Sequence, residues 1–156
     1  MPEAYATGCG GEPVVASPLM SAFTPAELEY LRSQRIGRLA TIGRDGAPHV
    51  MPVGYRYDPA TDTIEIGGHG MGTSKKWRDM GWDSRVAFVV DDVVPPWGPR
   101  LVEVRGIATR EATGGSGLGR GFYEEFVRIT PRRVISYGLG PEGHDLRTFD
   151  ARDVPV

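Results

Sequence analysis

Apolar residues along the chain recur mostly at every second position, in short segments that glycine and proline separate. This alternation is typical of half-buried β-strands, and the tight turns between the segments favour antiparallel pairing. The pattern predicts six strands, at 36–42, 48–57, 63–67, 85–90, 100–110 and 124–137. A sheet of this size must protect its edges, most simply by closing into a barrel.

Several positions between and within these strands indicate how they connect. Asp45-Gly46 predicts a tight hairpin between the first two strands. Pro52 interrupts the second strand and cannot donate a ladder hydrogen bond, so it marks an edge, a bulge or a break. The prolines of 93–99 predict a rigid loop, and 113–121 is a glycine-rich loop whose spacing does not fit a dinucleotide-binding motif.

Two short helices complete the predicted elements. Thr24-Pro25-Ala26-Glu27 is a capping box that starts the first helix, which runs to about Gln34. Phe23 and Leu28 are placed as a hydrophobic staple. The second helix runs from Ser74 to about Trp82, with Thr73 or Ser74 as its cap. The sequence therefore predicts a mainly β (α+β) fold with a few short helices.

The two ends of the chain differ from its middle in pattern. Residues 1–22 are rich in glycine, proline, alanine and serine without any period, which predicts a flexible N-terminal arm. The remaining residues, 23–156, form one domain, as the total length of 156 residues suggests. The residues after 137 are read as a polar tail.

Composition excludes several classes of partner. The net charge of -2 gives no general attraction to nucleic acid or acidic membranes. No apolar run reaches the length of a membrane span, and the first 20 residues lack the features of a signal peptide. Cys9 is the only cysteine, so no internal disulfide can form. These features predict a cytoplasmic protein that binds neither nucleic acid nor membrane.

The segment Gly70-Met71-Gly72-Thr73-Ser74-Lys75-Lys76 carries the most informative chemistry. Free N–H groups at a helix start attract anions, whereas lysines there oppose the helix dipole. A bound phosphate would reverse that penalty, and a solvated basic turn is the alternative. The segment is not a Walker loop, because no Gly-Lys-Ser/Thr follows a suitably spaced glycine.

Other polar and aromatic residues leave their roles open. The three histidines are too scattered to predict a metal site. His49 is either a cofactor-facing donor or a solvent-facing side chain, and Trp97 is either a lid over a ring system or loop packing. Tyr55 and Tyr57 are read as packing residues. The sequence shows no nucleophile elbow or Ser-His-Asp pattern, so no catalytic residue is assigned.

The order of these segments resembles a known family. Arg38-Leu39-Ala40-Thr41, Pro48-His49-Val50-Met51-Pro52-Val53, the glycine loop, Ser74-Lys75-Lys76 and the strand Arg100-Leu101-Val102-Glu103-Val104-Arg105-Gly106 are together similar to the pyridoxamine-phosphate-oxidase-like split barrels. The resemblance covers about residues 24–137. It implies an FMN-binding-type split β-barrel, a homodimer with cofactors in grooves between the chains, and a Ser-Lys-Lys element that holds the cofactor phosphate.

Two departures separate the chain from the FMN oxidases of that family. Leu101 stands where they place a glutamine, and the strand from His49 to Val53 has no arginine or lysine. Pro48-His49-Val50, Gly67-Gly68-His69 and 129–134 resemble instead the branch that uses the deazaflavin coenzyme F420. Some members of that branch complete antibiotic biosynthesis, including reduction of a ring double bond in tetracycline-type compounds.

The resemblance implies an F420-dependent reductase that transfers hydride to an unsaturated small organic molecule. An FMN-dependent oxidase and a non-catalytic flavin or deazaflavin carrier are the alternatives. The implied cofactor-binding residues come from the second strand, the glycine loop, the second helix and the 93–99 region. They are His49, Met51, Pro52, Val53, Gly68, His69, Thr73, Ser74, Lys75, Lys76, Trp97 and Arg100.

Overall fold

The computed structural model describes residues 20–140 and 149–155. These residues form two α-helices and one antiparallel sheet of eight strands. The helices are α1 (Pro25–Ser33) and α2 (Lys75–Trp82). The strands are β1 (Ile36–Ile42), β2 (Pro48–Gly54), β3 (Arg56–Asp58), β4 (Thr63–Ile66), β5 (Arg85–Val94), β6 (Gly98–Glu111), β7 (Phe126–Tyr137) and β8 (Phe149–Asp153). The predicted mainly β fold with short helices is therefore confirmed.

The strand order explains why the barrel is split. The strands run β2-β1-β5-β6-β7-β4-β3, and β8 pairs with β7 off this path. The outermost strands, β2 and β3, are consecutive in the chain and are separated by Tyr55 alone. The sheet therefore curls until its two ends adjoin, with the split between β2 and β3.

Pro52 lies on an edge of the sheet, as one of the three sequence alternatives predicted. β2 is the end strand, and its register with β1 continues through the pair Arg38–Pro52 without a shift. A proline is tolerated there because the outer side of an end strand has no neighbouring strand to which an N–H would donate. Pro52 is thus neither a bulge nor a break.

Three predicted boundaries are wrong. The segment 48–57 is two strands, because the chain turns at Tyr55 between β2 and β3. The loop predicted at 93–99 is short, since β5 continues to Val94, β6 begins at Gly98, and Val94 pairs with Gly98. The polar tail contains β8, which pairs with β7 from Arg133–Asp153 to Tyr137–Phe149.

The core is formed by inward-facing side chains of the strands, joined by residues of α1 and α2 such as Leu31 and Met80. Its fully buried side chains come from strands on both sides of the barrel and include Leu39, Phe88, Val104 and Ile129. The predicted inward face of β6 is confirmed, because Val102, Val104 and Ala108 are buried. Tyr55 and Tyr57 pack as predicted, with the Tyr55 ring 5.1 Å from Phe88 and the Tyr57 ring 5.6 Å from Phe23.

α1 begins with the predicted capping box. The Glu27 backbone N–H donates to Thr24 Oγ1 at 3.3 Å, and the Thr24 N–H donates to Glu27 Oε2 at 2.8 Å. The Glu27 side chain is only 1% exposed, and its carboxylate also accepts hydrogen bonds from both terminal nitrogens of Arg152 in β8. Strand β8, absent from the sequence prediction, therefore holds α1 against the sheet.

Most of the predicted N-terminal arm, residues 1–19, lies outside the described residues. Its last residues contact the barrel. Ser21 Oγ donates to Asp62 Oδ1 at 2.7 Å, and the Ala22 N–H donates to Asp62 Oδ2 at 2.6 Å. Arg152 donates to the Ala22 carbonyl at 2.7 Å. Ser21 and Ala22 are thus attached to the domain that they precede.

Neither helix in the described part of the chain is long and apolar enough to cross a bilayer.

Candidate functional site

The start of α2 is built from the glycine loop that the sequence singled out. Gly70 adopts a left-handed conformation with φ of 69°, which glycine allows at little cost, and the 3-10 turn Met71–Thr73 follows. Ser74 is the cap of α2, because its Oγ accepts the Trp77 N–H at 3.2 Å. Thr73 instead donates its hydroxyl to the Gly70 carbonyl at 3.1 Å. The N–H groups of Lys75 and Lys76 have no intrahelical acceptor and are available to an anion.

Lys75 does not stand free at this helix start. Its Nζ lies 2.8 Å from Asp79 Oδ1 and 2.9 Å from Asp79 Oδ2, one helical turn further on. Thr41 of β1 donates its hydroxyl to Asp79 Oδ2 at 2.9 Å. Asp79 is 7% exposed in its side chain. The lysine is therefore held in one direction by a buried carboxylate that is itself fixed to the sheet.

The charge of Asp79 follows from these contacts. Burial acts to raise the pKa of the Asp79 carboxyl, but the hydrogen bonds from Lys75 and Thr41 outweigh it and hold that pKa below its ordinary value. Asp79 is thus ionised at neutral pH. The sequence analysis did not identify this residue, although its position four residues after Lys75 is the spacing of a helical ion pair.

His49 faces the same carboxylate from β2. It pairs with Thr41 across the β1–β2 ladder, and its Nδ1 lies 3.7 Å from Asp79 Oδ2. That distance is just beyond a hydrogen bond. The Nδ1 atom is buried and has no hydrogen-bond partner within the described residues, whereas the side chain as a whole is 28% exposed. His49 therefore directs its Nδ1 toward Asp79 and away from solvent.

Lys76 is the remaining cation of the segment. It is half-buried, and within residues 20–140 and 149–155 it makes no ion pair. The neighbouring Arg78 is engaged, because its Nη1 donates to the Thr73 carbonyl at 2.7 Å. The start of α2 therefore offers one oriented ammonium, one unpaired ammonium and free backbone N–H groups.

The glycine loop adjoins a cleft, to which it contributes Gly67. The Tyr123 N–H donates to the Gly68 carbonyl at 3.2 Å, and the His69 ring meets the Phe122 ring at 5.3 Å, edge to face. A cleft of about 230 Å³ lies next to this contact. Its lining residues are Gln34, Arg35, Gly54, Tyr55, Arg56, Glu65, Gly67, Leu118 and Phe122.

The other residues that the sequence predicted for the site differ in their exposure and contacts. Met51 and Pro52 are exposed on edge strand β2, but the Val53 side chain lies in the core, so Val53 can offer only its backbone. Trp97 is 72% exposed, so its side chain is not packed within its loop. Arg100 pairs with Asp92 at 2.9 and 2.6 Å and lies over the Tyr30 ring of α1.

The structure thus gathers some of the predicted residues and leaves others apart. His49 and Lys75 face Asp79, and Thr73, Ser74 and Lys76 adjoin Lys75 at the start of α2, whereas Arg100 contacts α1. Among the described residues, no group of three or more histidine, cysteine or acidic side chains could hold a metal ion. The groups that the start of α2 offers to an anion are backbone N–H groups and two ammonium groups, one of which is paired with Asp79.

Comparison with known proteins places this geometry in context. A model of the family described as "Pyridoxamine 5'-phosphate oxidase" matches residues 23–134. The 5a,11a-dehydrotetracycline/5a,11a-dehydrooxytetracycline reductase of Streptomyces rimosus is 45% identical over 135 residues, which are 85% of this chain and 93% of that protein.

Solved structures share the fold. A conserved hypothetical protein of Mycobacterium tuberculosis is 25% identical with a TM-score of 0.59, over 75% of this chain and 86% of that one. An FAD-binding protein of Mesorhizobium loti is 25% identical with a TM-score of 0.56, over 73% of this chain and 93% of that one. Both support the split-barrel fold that the sequence resemblance predicted.

Proposed function

The chain belongs to the pyridoxamine 5'-phosphate oxidase family of oxidoreductases, and we propose that it is a reductase that uses coenzyme F420 to reduce a carbon–carbon double bond. The observation that carries this proposal is the 45% identity to a dehydrotetracycline reductase across 93% of that relative's length. The proposed substrates are dehydrotetracycline-type compounds, and the proposed step is the ring reduction that the relative's name describes.

The residues around α2 fit a phosphorylated flavin-type cofactor. Ser74, the N–H groups that follow it, Lys75 and Lys76 would hold the phosphate, with His49 beside them. The orphaned Nδ1 of His49 is a buried donor or acceptor that still needs a partner. When bound, the reduced cofactor supplies the hydride. The chain's own task is to orient and enclose the reactants, so it needs no nucleophile.

Two features favour F420 over FMN. Leu101 lies on β6, where the resemblance to FMN oxidases would place a glutamine, and its apolar side chain offers no hydrogen bond. β2 carries no arginine or lysine between His49 and Val53. The positive charge at this site comes instead from α2. An FMN-dependent oxidase and a non-catalytic carrier stay as alternatives that experiment separates.

The proposed assembly is a homodimer with the cofactor between the chains. Its support is the exposure of two apolar side chains on edge strand β2, Val50 and Met51. Exposed apolar side chains on an edge strand are costly unless a partner covers them. The cleft beside the glycine loop, with its guanidinium and aromatic side chains, is the proposed place for part of the substrate.

The proposal is tested by a reduction assay with purified protein. With reduced F420 and a dehydrotetracycline, we expect one equivalent of cofactor to be oxidised for each equivalent of substrate reduced, measured by absorbance and mass spectrometry. Reduced FMN at the same concentration is the control and is expected to give little turnover. Turnover with FMN alone would assign the oxidase alternative, and binding of both without turnover would assign the carrier.

The replacement Lys76→Ala is expected to weaken cofactor binding without unfolding the protein. Each charge-assisted hydrogen bond to a phosphate contributes about 1.5–3 kcal/mol, so loss of one raises the dissociation constant about tenfold to a hundredfold. The melting temperature should change little, because Lys76 makes no ion pair within the described residues. Fluorescence titration with F420 at two salt concentrations measures the effect. Lys76→Arg, which keeps the charge, should bind almost as the native protein does.

A further inference from the structure

Asp79 is a buried carboxylate that the proposed chemistry does not use, yet it contacts the groups that would face the cofactor. Both of its oxygens accept from the Lys75 ammonium, at 2.8 and 2.9 Å. One of them also accepts the Thr41 hydroxyl at 2.9 Å and lies 3.7 Å from His49 Nδ1. The carboxylate thus joins α2, β1 and β2 at one point.

A carboxylate in this place has an electrostatic cost. It neutralises Lys75, so it reduces the attraction that the helix start exerts on an anion. Its benefit lies in geometry. A lysine has a long flexible stem and three N–H donors, and binding an anion normally has to order that stem. With the ammonium already held by Asp79, an N–H donor can be presented in a fixed direction.

Thr41 gives Asp79 the rigidity that such a role needs. It is buried close to the turn of the β1–β2 hairpin, where it pairs with His49. Its hydroxyl ties the carboxylate to the sheet, so the direction of the Lys75 ammonium is set by the barrel and not by α2 alone. Such support of a binding group by a neighbouring hydrogen bond is a general way to fix its orientation.

We propose that Asp79 is a positioning residue for the cofactor phosphate, which holds the Lys75 ammonium in the orientation that binds it. This inference rests on the proposed binding of a phosphorylated cofactor at α2. It adds a residue that acts through Lys75 and does not itself touch the cofactor.

The variant Asp79→Asn tests this proposal, because an effect of charge and an effect of positioning would change the dissociation constant of the cofactor in opposite directions. Removing the negative charge should tighten anion binding if charge alone matters. Positioning predicts that the dissociation constants of F420 and FMN both rise about tenfold, as for loss of one charge-assisted hydrogen bond. Fluorescence titration at low salt measures both constants. Binding as tight as that of the native protein, or tighter, would overturn the proposal.

A double-mutant cycle shows whether Asp79 acts through Lys75. In the Lys75→Met background no ammonium remains for Asp79 to orient. Adding Asp79→Asn to it should then leave the dissociation constant unchanged or lower it, because only repulsion is removed. A further tenfold loss in this background would contradict the proposed route through Lys75.

The two lysines of the chain, Lys75 and Lys76, allow a direct readout without cofactor. In protein labelled with ¹⁵N-lysine, the Lys75 ammonium should exchange its protons more slowly than Lys76, because Asp79 holds it. Asp79→Asn should abolish the difference. If that variant does not fold, Thr41→Val is used instead. A smaller increase in the dissociation constants, about threefold, is then expected, because the Thr41 hydrogen bond to the carboxylate is lost but both hydrogen bonds from Lys75 remain. No change in Thr41→Val would count against the proposal.

These outcomes separate the inference from the proposed function. If the native protein reduces substrate with F420 but Asp79→Asn binds F420 normally, the function stands and the inference fails. If F420 supports no turnover but Asp79→Asn still weakens FMN binding, the inference stands and the proposed reductase function fails. If the native protein binds neither cofactor, both fail.

Discussion

Replacing Arg152 with methionine is expected to destabilise the protein by about 3 kcal/mol at neutral pH, the usual cost of leaving a buried charge without its partner. The Arg152 guanidinium contacts both oxygens of Glu27 and the Ala22 carbonyl. Methionine fills similar space but donates nothing. Urea unfolding, followed by circular dichroism, measures the change in the free energy of unfolding.

The pH dependence of this variant has a definite sign. Burial acts to raise the pKa of Glu27, but hydrogen bonds from Arg152, Ser136 and the Thr24 N–H outweigh it and lower that pKa. In the native protein this contribution is fully present above the ordinary carboxyl pKa of about 4.3 and is lost as the pH falls through the lowered value. The difference between the native protein and Arg152→Met should therefore be largest near pH 7 and narrow below about pH 4.3.

Arg133→Met is the matched control for Arg152→Met. Arg133 also forms an ion pair, with its Nη1 2.7 Å from Asp153 Oδ1, but the Asp153 side chain is 80% exposed. Exposed ion pairs contribute little, at most about 1 kcal/mol. An equal loss of stability in the two variants would show that the burial of the Glu27 carboxylate is not the cause of the effect.

The second large effect is expected for Phe88→Ala, which should destabilise the protein by about 4 kcal/mol. Phe88 is completely buried on β5, with its ring edge to face against Tyr55. Alanine removes this contact and leaves a cavity that the surrounding strands can fill only in part. Phe149→Ala, which shortens an exposed ring on β8, should change the free energy of unfolding by less than about 1 kcal/mol.

Gly37 allows the contacts of Phe88 to be tested by a second cycle. A Cβ atom at Gly37 would clash with the Phe88 ring, so Gly37→Ala alone should be destabilising. With Phe88→Ala the obstructing ring is gone, and the added methyl group partly fills the cavity. The double variant should therefore be more stable than the sum of the two single changes predicts. Simple additivity would mean that the strands collapse into the space.

The elements that could be predicted from the sequence are those with a local signal. The capping box at Thr24 was sufficient to predict α1, and the alternation of apolar residues was sufficient to predict β6, because each signal depends only on residues close together in the chain. Strand β8 was missed for a physical reason. Its five residues, Phe149–Asp153, are mostly exposed and show no apolar alternation, so the strand exists because β7 offers a partner. Pairing between segments that are distant in the chain produces no such pattern in the local sequence.

The candidate site shows the same division. The segment Ser74 to Lys76 was identified because lysines at a helix start are unusual. The partner of Lys75 could have been read from the i,i+4 spacing, but the contacts of Asp79 with Thr41 and His49 depend on how the β1–β2 hairpin lies against α2. Arg100 is expected at the site from the resemblance; in the structure it pairs with Asp92 beside α1, a contact that the sequence did not indicate.

Because the barrel is split, we expect the backbone amide hydrogens of different strands to exchange with solvent at different rates. β6 has hydrogen-bonded neighbours on both sides, so its amide hydrogens should be among the last to be replaced by deuterium. Along the outer side of β2 the amides face no neighbouring strand. The two margins are joined by Tyr55, whose hydroxyl donates to the Leu31 carbonyl at 2.6 Å. Since no ladder of hydrogen bonds joins β2 to β3, we expect the amide hydrogens on the outer side of β2 to exchange faster than those of β6.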